Sequence, residues 1–314
     1  MTSQRIISTT VRPLSAPETL ADYCARRFTY FTRHQWSGEI ADGKLSVDGG
    51  AVTDPEMMLQ GGEKLAWDGS GIIEPEVDRE IVILYEDNWL VAVNKTGNLP
   101  VHPSGRYFNH TLTALLADRT GRKVYPVHRI DRETSGIILL AFDGESVQPL
   151  ARALASGTKE YVALVHGIFP DGELIVDLPL GRDPESSVSK KRKAWPQGTE
   201  NARTRFQKVL SAGDISLVRC FPQTGRLHQI RVHLLAAGYP IVGDKLYGRD
   251  KTAFLEFIKN GLTASLLSRL LLPRQALHAG RVNFVHPRTQ IKMTLHAPLP
   301  KMFADFIRER KARA

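Results

Sequence analysis

Apolar residues fall along this chain in short bursts, and the spacing within each burst predicts an element. The densest is Ile137-Ile138-Leu139-Leu140-Ala141-Phe142, uncharged and β-branched at its start. It predicts a buried strand. Ile81 to Tyr85 and Leu90 to Val93 are two more apolar runs, split by the hairpin signal Glu86-Asp87-Asn88. Thr158 to Val165 alternates as a strand. Ile175 to Leu178, Thr204 to Leu210 and Ile215 to Phe221 are further strand candidates, and short strands recur near Leu277, Val282–Val285 and Ile291–Leu295. Helical spacing opens at Thr111, runs from Glu145 to Ser156 before Gly157, and runs from His228 to Ala237 before Gly238 and Pro240. Ala253 to Leu272 reads as one longer helical stretch. Beyond Pro300 a basic helix carries Met302, Phe303, Phe306 and Ile307 as a stripe to pack on the core. Many strands, few helices and no βαβ alternation predict an α+β fold with a mixed, mostly antiparallel sheet flanked by helices.

The first part of the chain has a different texture. Residues 1–13 are polar and read as an extended lead-in. Ser15 to Thr19 supplies helix-start chemistry, and Leu20, Tyr23, Cys24, Arg27, Phe28 and Phe31 follow helical spacing. Thr32 can cap a second short helix that ends at Gly43. Leu45 and Val47 alternate, Asp48-Gly49-Gly50 turns, and Gly61-Gly62 leads into a last strand at Lys64 to Trp67. The expected organisation is a small α+β domain over 1–68, a Gly- and Pro-containing linker over 69–79, and a large domain over 80–314.

Composition narrows the classes of function. The chain has 314 residues, 42% apolar and 24% charged, which is ordinary for a globular protein. A net charge of +9 favours a polyanionic partner. No apolar run approaches the roughly 18 residues of a membrane span, and Met1 to Thr10 has no signal-peptide core. The two cysteines, Cys24 and Cys220, read as buried thiols of a reducing compartment. A cytoplasmic monomer with no membrane partner is expected.

The chemistry concentrates in His128-Arg129-Ile130-Asp131-Arg132-Glu133-Thr134-Ser135-Gly136, which feeds the apolar run above. A carboxylate, two arginines, a histidine and two hydroxyls thus sit in a turn fixed by a core strand, where catalytic groups are commonly held. In isolation, a salt-bridged turn is the commoner meaning of such a cluster. Asp131 would then only cap Ser135 or pair with Arg129. His128 reads as a hydrogen-bonded structural histidine. His228 and His233, five apart, fit no common zinc spacing, and no metal is expected.

This nonamer resembles the signature of the RluA/RluD family of RNA pseudouridine synthases, with Ile130 where the family has Leu. Three other segments resemble the family in the same order. They are Asn94-Lys95-Thr96-Gly97 through His102-Pro103, Lys159-Glu160-Tyr161-Val162-Ala163, and Thr224-Gly225-Arg226-Leu227-His228-Gln229-Ile230-Arg231-Val232-His233 with Gly238 to Gly248. Thr96 stands where the family often has Pro. The resemblance implies that Asp131 is the catalytic carboxylate and that Arg231 keeps it ionised. Tyr161 would stack on the base and take a sugar or ring proton, and Arg129 would fill the space left by a flipped uridine. Arg132, Thr134, Arg226, His228 and Gln229 become substrate-contacting or supporting candidates. It implies no cofactor.

The chemistry agrees. Isomerising uridine breaks a bond at the ribose anomeric carbon and rejoins the base through carbon, which calls for a carboxylate against the sugar and a cation beside that carboxylate. The target base must also leave its stack. The small domain resembles the αL RNA-binding motif through Thr32 to Trp36, Gly43 to Gly49 and Gly61 to Leu65. Arg26, Arg27, Arg33, His34 and Lys44 would be its RNA contacts. Large-subunit ribosomal RNA is the favoured partner, with transfer RNA as the other. The basic stretch Ser186 to Lys193 would meet phosphates if RNA passed near. The runner-up is a non-catalytic RNA-binding or ribosome assembly factor. A glycosidase or nucleosidase using Asp131 comes third, since the motifs offer no second carboxylate and leave the +9 charge unexplained.

Overall fold

The structure, a computed structural model, describes residues 5–28 and 31–312. The chain forms two compact units. One takes residues up to Glu76 together with His102–Ala114, and the other takes Val77–Val101 and Leu115–Ala314.

The first unit contains β1 (Ile6–Thr10), α1 (Leu20–Arg27), α2 (Arg33–Ala41), β2 (Leu45–Val47), β3 (Gly50–Val52) and β4 (Lys64–Asp68), with sheet order β1-β4-β2-β3. Thr19 caps α1, its hydroxyl accepting from the Asp22 amide at 3.2 Å. Thr32 and Gln35 form a reciprocal capping box on α2. Asp48 and Gly49 both take positive φ, 47° and 86°, which suits the two-residue hairpin between β2 and β3. The sequence reads the lead-in as extended without pairing into a strand; Ile6–Thr10 is a strand paired antiparallel with β4. Its polar make-up conceals it, because its side chains are exposed or half-buried throughout. Leu20, Cys24, Trp36, Ile40 and Trp67 form the core, with the two indole rings 4.8 Å apart. Glu74, in the stretch read as a linker, accepts from the backbone amides of Phe108, Asn109 and His110 at 2.7–2.8 Å. That carboxylate helps hold residues 102–114 in this unit, although the sequence reading placed them in the large domain.

The second unit is built on one sheet. Its strands are β5 (Ile81–Glu86), β6 (Leu90–Lys95), β7 (Tyr125–Pro126), β8 (Ser135–Ala141), β9 (Thr158–His166), β10 (Glu173–Asp177), β13 (Arg203–Ala212), β14 (Ile215–Pro222), β15 (Leu277–Val285) and β16 (Lys292–His296). A separate ribbon pairs β11 (Leu180–Arg182) with β12 (Arg192–Ala194). The sheet runs β10-β13-β14-β9-β15-β8-β6-β5, with β7 added to β8 and β16 to β15. Every pairing is antiparallel except β15 with β8. All seven residues of β8 are buried. Successive side chains point to opposite faces, so both faces of this strand are covered.

The helices are α3 (Leu112–Thr120), which carries the chain out of the first unit, then α4 (Gly144–Ser156), α5 (Gln229–Ala236), α6 (Ala253–Asn260), α7 (Ala264–Leu270) and α8 (Lys301–Ala312). Leu150 and Leu154 of α4 pack with Ile137 and Leu139, while Ile230 and Leu234 of α5 share a cluster with Phe206, Cys220 and Phe303 of α8. The stretch expected to be a single helix over 253–272 is two. Gly261 at φ 71° ends α6, and the Thr263 hydroxyl accepts from the Leu266 amide to start α7. Cys24 lies buried in the first unit and Cys220 in the second, both as free thiols.

Candidate active site

The turn before β8 is fixed from below. Gly136 has φ +109°, and a Cβ there would overlap the Ala279 backbone where β15 runs parallel to β8. A row of paired residues then crosses the sheet from Gly136 through Ala279 and Tyr161 to Cys220. Tyr161 is therefore set two strands away from the turn that carries Asp131.

Arg231 comes from the first turn of α5. The chain enters this helix through His228 at φ 60° and ψ 15°, a left-handed conformation uncommon outside glycine. Arg231 Nη1 donates to Asp131 Oδ2 at 2.6 Å. The rest of its guanidinium fork is taken by Asp244, with Nε to Oδ2 at 2.6 Å and Nη2 to Oδ1 at 2.8 Å. Asp244 is fully buried and also accepts from the Leu246 and Tyr247 amides, both at 2.9 Å. One buried cation thus bridges two carboxylates, held bidentate on one side and reaching toward the turn on the other. Gln275 Nε2 reaches Asp131 Oδ2 at 3.4 Å and Thr134 Oγ1 at 2.6 Å. Asp131 Oδ1 accepts no hydrogen bond among the described residues.

The electrostatics follow from this packing. Burial alone would raise the Asp131 pKa, but Arg231 outweighs it and holds the carboxyl below its ordinary 3.8. The same opposition leaves Asp244 depressed. Arg231 is pulled down by burial and pushed up further by Asp244 and Asp131, so it stays charged. Burial, with the Asp131 charge adding to it, pushes Tyr161 up to about 12. Tyr161 is a neutral phenol at pH 7, suited to packing or donating rather than to resting as a base.

The other predicted residues divide. Arg129 is exposed and pairs with nothing among the described residues. The nearby acid Glu133 is taken by Lys245 at 2.8 Å and Arg132 at 3.2 Å. His228 faces Asp131, its Nε2 3.8 Å from Oδ1. Arg226 is exposed and donates to the Asn201 carbonyl at 3.2 Å. Two candidates are not placed to touch a ligand. Thr134 is 2% exposed, with its hydroxyl engaged by Gln275. Gln229 is 4% exposed, and its amide is spent on Thr224, the Arg226 amide, the Arg203 carbonyl and Thr204. Both hold the loops that carry the site. His128 is structural as expected: its Nε2 accepts from the Leu139 amide at 3.1 Å.

The basic residues of the first unit are mostly spoken for. Arg26 pairs with Glu18, Arg33 with Asp22 and Glu56, and Lys44 with Glu39 and Asp42. Arg27 and His34 are exposed, Arg27 lying over the Phe28 ring. Three of the five predicted contacts are therefore offset by acidic neighbours, which spacing along the chain does not reveal.

Sequence reasoning assigned no role to Asp244, Gln275 or Tyr247. Asp244 had one signal, an acid set between the apolar Ile241-Val242 and a glycine-flanked turn. Gln275 had none.

The arrangement is a half-buried, cation-held carboxylate set on a mixed, mostly antiparallel sheet. Comparison with known proteins names its kind. Residues 89–236 match the model of the RNA pseudouridylate synthase family. The ribosomal large subunit pseudouridine synthase D of Nitrosomonas europaea is 32% identical over 94% of this chain and 86% of its own. The mitochondrial tRNA pseudouridine(32) synthase of Saccharomyces cerevisiae is 38% identical over 74% of this chain and half of its own. The solved human RNA pseudouridylate synthase domain containing 4 superposes with a TM-score of 0.56 at 27% identity, covering 74% of this chain and 93% of that one. The chain belongs to the RluA/RluD family of RNA pseudouridine synthases and is an RNA-modifying isomerase.

Proposed function

We propose that this enzyme isomerises uridine in large-subunit ribosomal RNA, with Asp131 as the catalytic carboxylate. The observation that carries the assignment of Asp131 is its divided environment. Oδ2 is anchored by Arg231 at 2.6 Å, and Oδ1 is left to face a ligand. A carboxylate kept ionised in this way suits attack on, or charge stabilisation at, the ribose anomeric carbon as the glycosidic bond breaks. Tyr161, a neutral phenol in the same row of the sheet, supports the base while it turns. Arg129, exposed beside Asp131, takes the place the uridine leaves in its stack. The first unit adds contacts to a structured RNA through Arg27 and His34.

The ribosomal target is supported by the Nitrosomonas europaea relative, which matches this chain across both units. The yeast relative favours transfer RNA, though only half of that protein is matched. The test is tritium release from RNA labelled at carbon five of uridine. It compares wild type with Asp131→Asn on undermodified ribosomal and transfer RNA. Release from ribosomal RNA by the wild type, lost by more than about 10⁴-fold in the variant while RNA binding persists, is expected. Equal release by the variant would remove Asp131 from its role. Release from transfer RNA alone would move the target.

A further inference from the structure

The His228 ring has a polar neighbour facing each nitrogen, and one of them bears on where its proton sits. Nδ1 lies 2.8 Å from the Tyr247 hydroxyl. That hydroxyl also accepts the backbone N–H of Arg192, on β12, at 2.8 Å. A tyrosine hydroxyl has one proton to give. Burial keeps the Tyr247 phenol well above its ordinary pKa, so the proton is present. Arg192 N–H takes one lone pair of that oxygen, and among the described residues the buried hydroxyl proton has His228 Nδ1 as its acceptor, so the geometry favours donation from Tyr247 to Nδ1. In that arrangement the imidazole proton sits on Nε2, the nitrogen that faces Asp131 Oδ1 at 3.8 Å. This is the carboxylate oxygen that Arg231 and Gln275 leave alone. The rings of His228 and Tyr247 meet edge to face, with centroids 5.4 Å apart, and Tyr247 is 1% exposed.

We propose that His228 is a positioning residue, presenting a neutral Nε2–H to Asp131 Oδ1, and that Tyr247 keeps it in that form. The proposal rests on Asp131 being the catalytic carboxylate. The gap of 3.8 Å is the kind that closes when substrate fills a site. A neutral N–H orients the oxygen without cancelling its charge, whereas a protonated imidazole would form an ion pair with it and blunt its attack on the sugar. The charged or titratable groups around the ring are Asp131 in the turn before β8, Arg231 on α5, Asp244 and Tyr247 in the loop after α5, and Arg192 on β12. Burial is the largest influence and holds His228 down to about 4. The Tyr247 bond adds to this by occupying the nitrogen that would take the second proton. The relay also gives the basic stretch before Ala194 a link to the chemistry, since its backbone supplies the first hydrogen bond.

The test has two arms, both on the full chain. Nitrogen NMR of histidine-labelled protein, with His228→Gln to assign the signal, reads the tautomer directly. The proton is expected on Nε2, with no titration of this ring above pH 5. A proton on Nδ1, or titration near the ordinary 6.5, overturns the proposal. The second arm is the pH profile of kcat for Tyr247→Phe. Without its donor, Nδ1 can take a proton, and the His228 pKa rises above its wild-type value, while burial still holds it below 6.5. Activity is then expected near wild type at pH 8, with the acid limb of the kcat profile shifted to higher pH than in wild type and KM unchanged. The wild type keeps its activity from pH 8 to about pH 5.5. A loss in the variant that is equal at every pH marks Tyr247 as packing only and overturns the proposal. His228→Gln, which keeps an N–H donor but cannot charge, is expected to be active and flat over this range in the Tyr247→Phe background. If Asp131→Asn proves fully active, the carboxylate reading fails on that result, while the tautomer measurement still stands.

Discussion

Arg231 holds two carboxylates with one planar group, and a lysine cannot repeat this. Arg231→Lys keeps the charge but offers a single nitrogen, so it can satisfy Asp244 or Asp131 but not both in the present geometry. We expect kcat to fall at least about 100-fold, with folding retained. Asp244→Ala is a different injury. It strands a buried cation and should cost about 3–5 kcal/mol, read as a lowered urea midpoint. The pH response separates the two forces acting on these acids. Asp131 and Asp244 are both depressed, so their contribution to stability is complete above 3.8 and is lost as pH falls through their lower folded values. In Arg231→Met the main force opposing burial is gone and both folded pKa values rise, so the two acids lose less stability on acidification. Urea midpoints between pH 6 and 3 should fall for wild type and fall less for the variant.

The residue scale also shows what the sequence could carry. Asp131, Tyr161 and Arg231 stood out as candidates because each sits in a long motif, and the structure brings Arg231 to Asp131. Thr134 and Gln229 sit in the same motifs, yet they face inward, because a motif records which residues a site needs and not which of them touch the ligand. Gln275 was invisible, since it is far from Asp131 in sequence and meets it only through the parallel pairing of β15 with β8.

At the scale of elements, β8 and its glycine set the site. Gly136→Ala places a methyl group against the Ala279 backbone in a conformation disfavoured for L-residues. The turn carrying Asp131 must shift or the β15–β8 pairing must open. A loss of several kcal/mol in the thermal transition and a loss of activity are expected together. Thr32→Ala removes the capping box of α2 and should cost about 1 kcal/mol without altering catalysis on a minimal RNA fragment. Strands with a buried face announced themselves through apolar runs. β1 did not, because an edge strand paired on one side needs no apolar alternation. The break between α6 and α7 was missed because apolar periodicity on both sides masked a single glycine and a capping threonine.

For the whole molecule, the +9 charge favours a polyanion, and the number of phosphates neutralised sets the salt response of RNA binding. Log affinity should fall linearly with log salt, by about 0.7–0.9 per phosphate neutralised. Neutralising Arg26, Arg33 or Lys44 should change that slope little, since acidic partners already offset them. Arg226→Gln should lower it by nearly one contact, measured by filter binding from 50 to 400 mM salt. The two-part organisation has a practical result through the cysteines. Each unit carries one thiol, Cys24 pushed up by burial to about 12 and Cys220 held by burial well above its ordinary value, so neither reacts while its unit is closed. A thiol reagent applied in slight denaturant therefore times two separate openings within one molecule. The chain holds its own pair of clocks, able to report whether bound RNA slows the large unit, the small unit, or both.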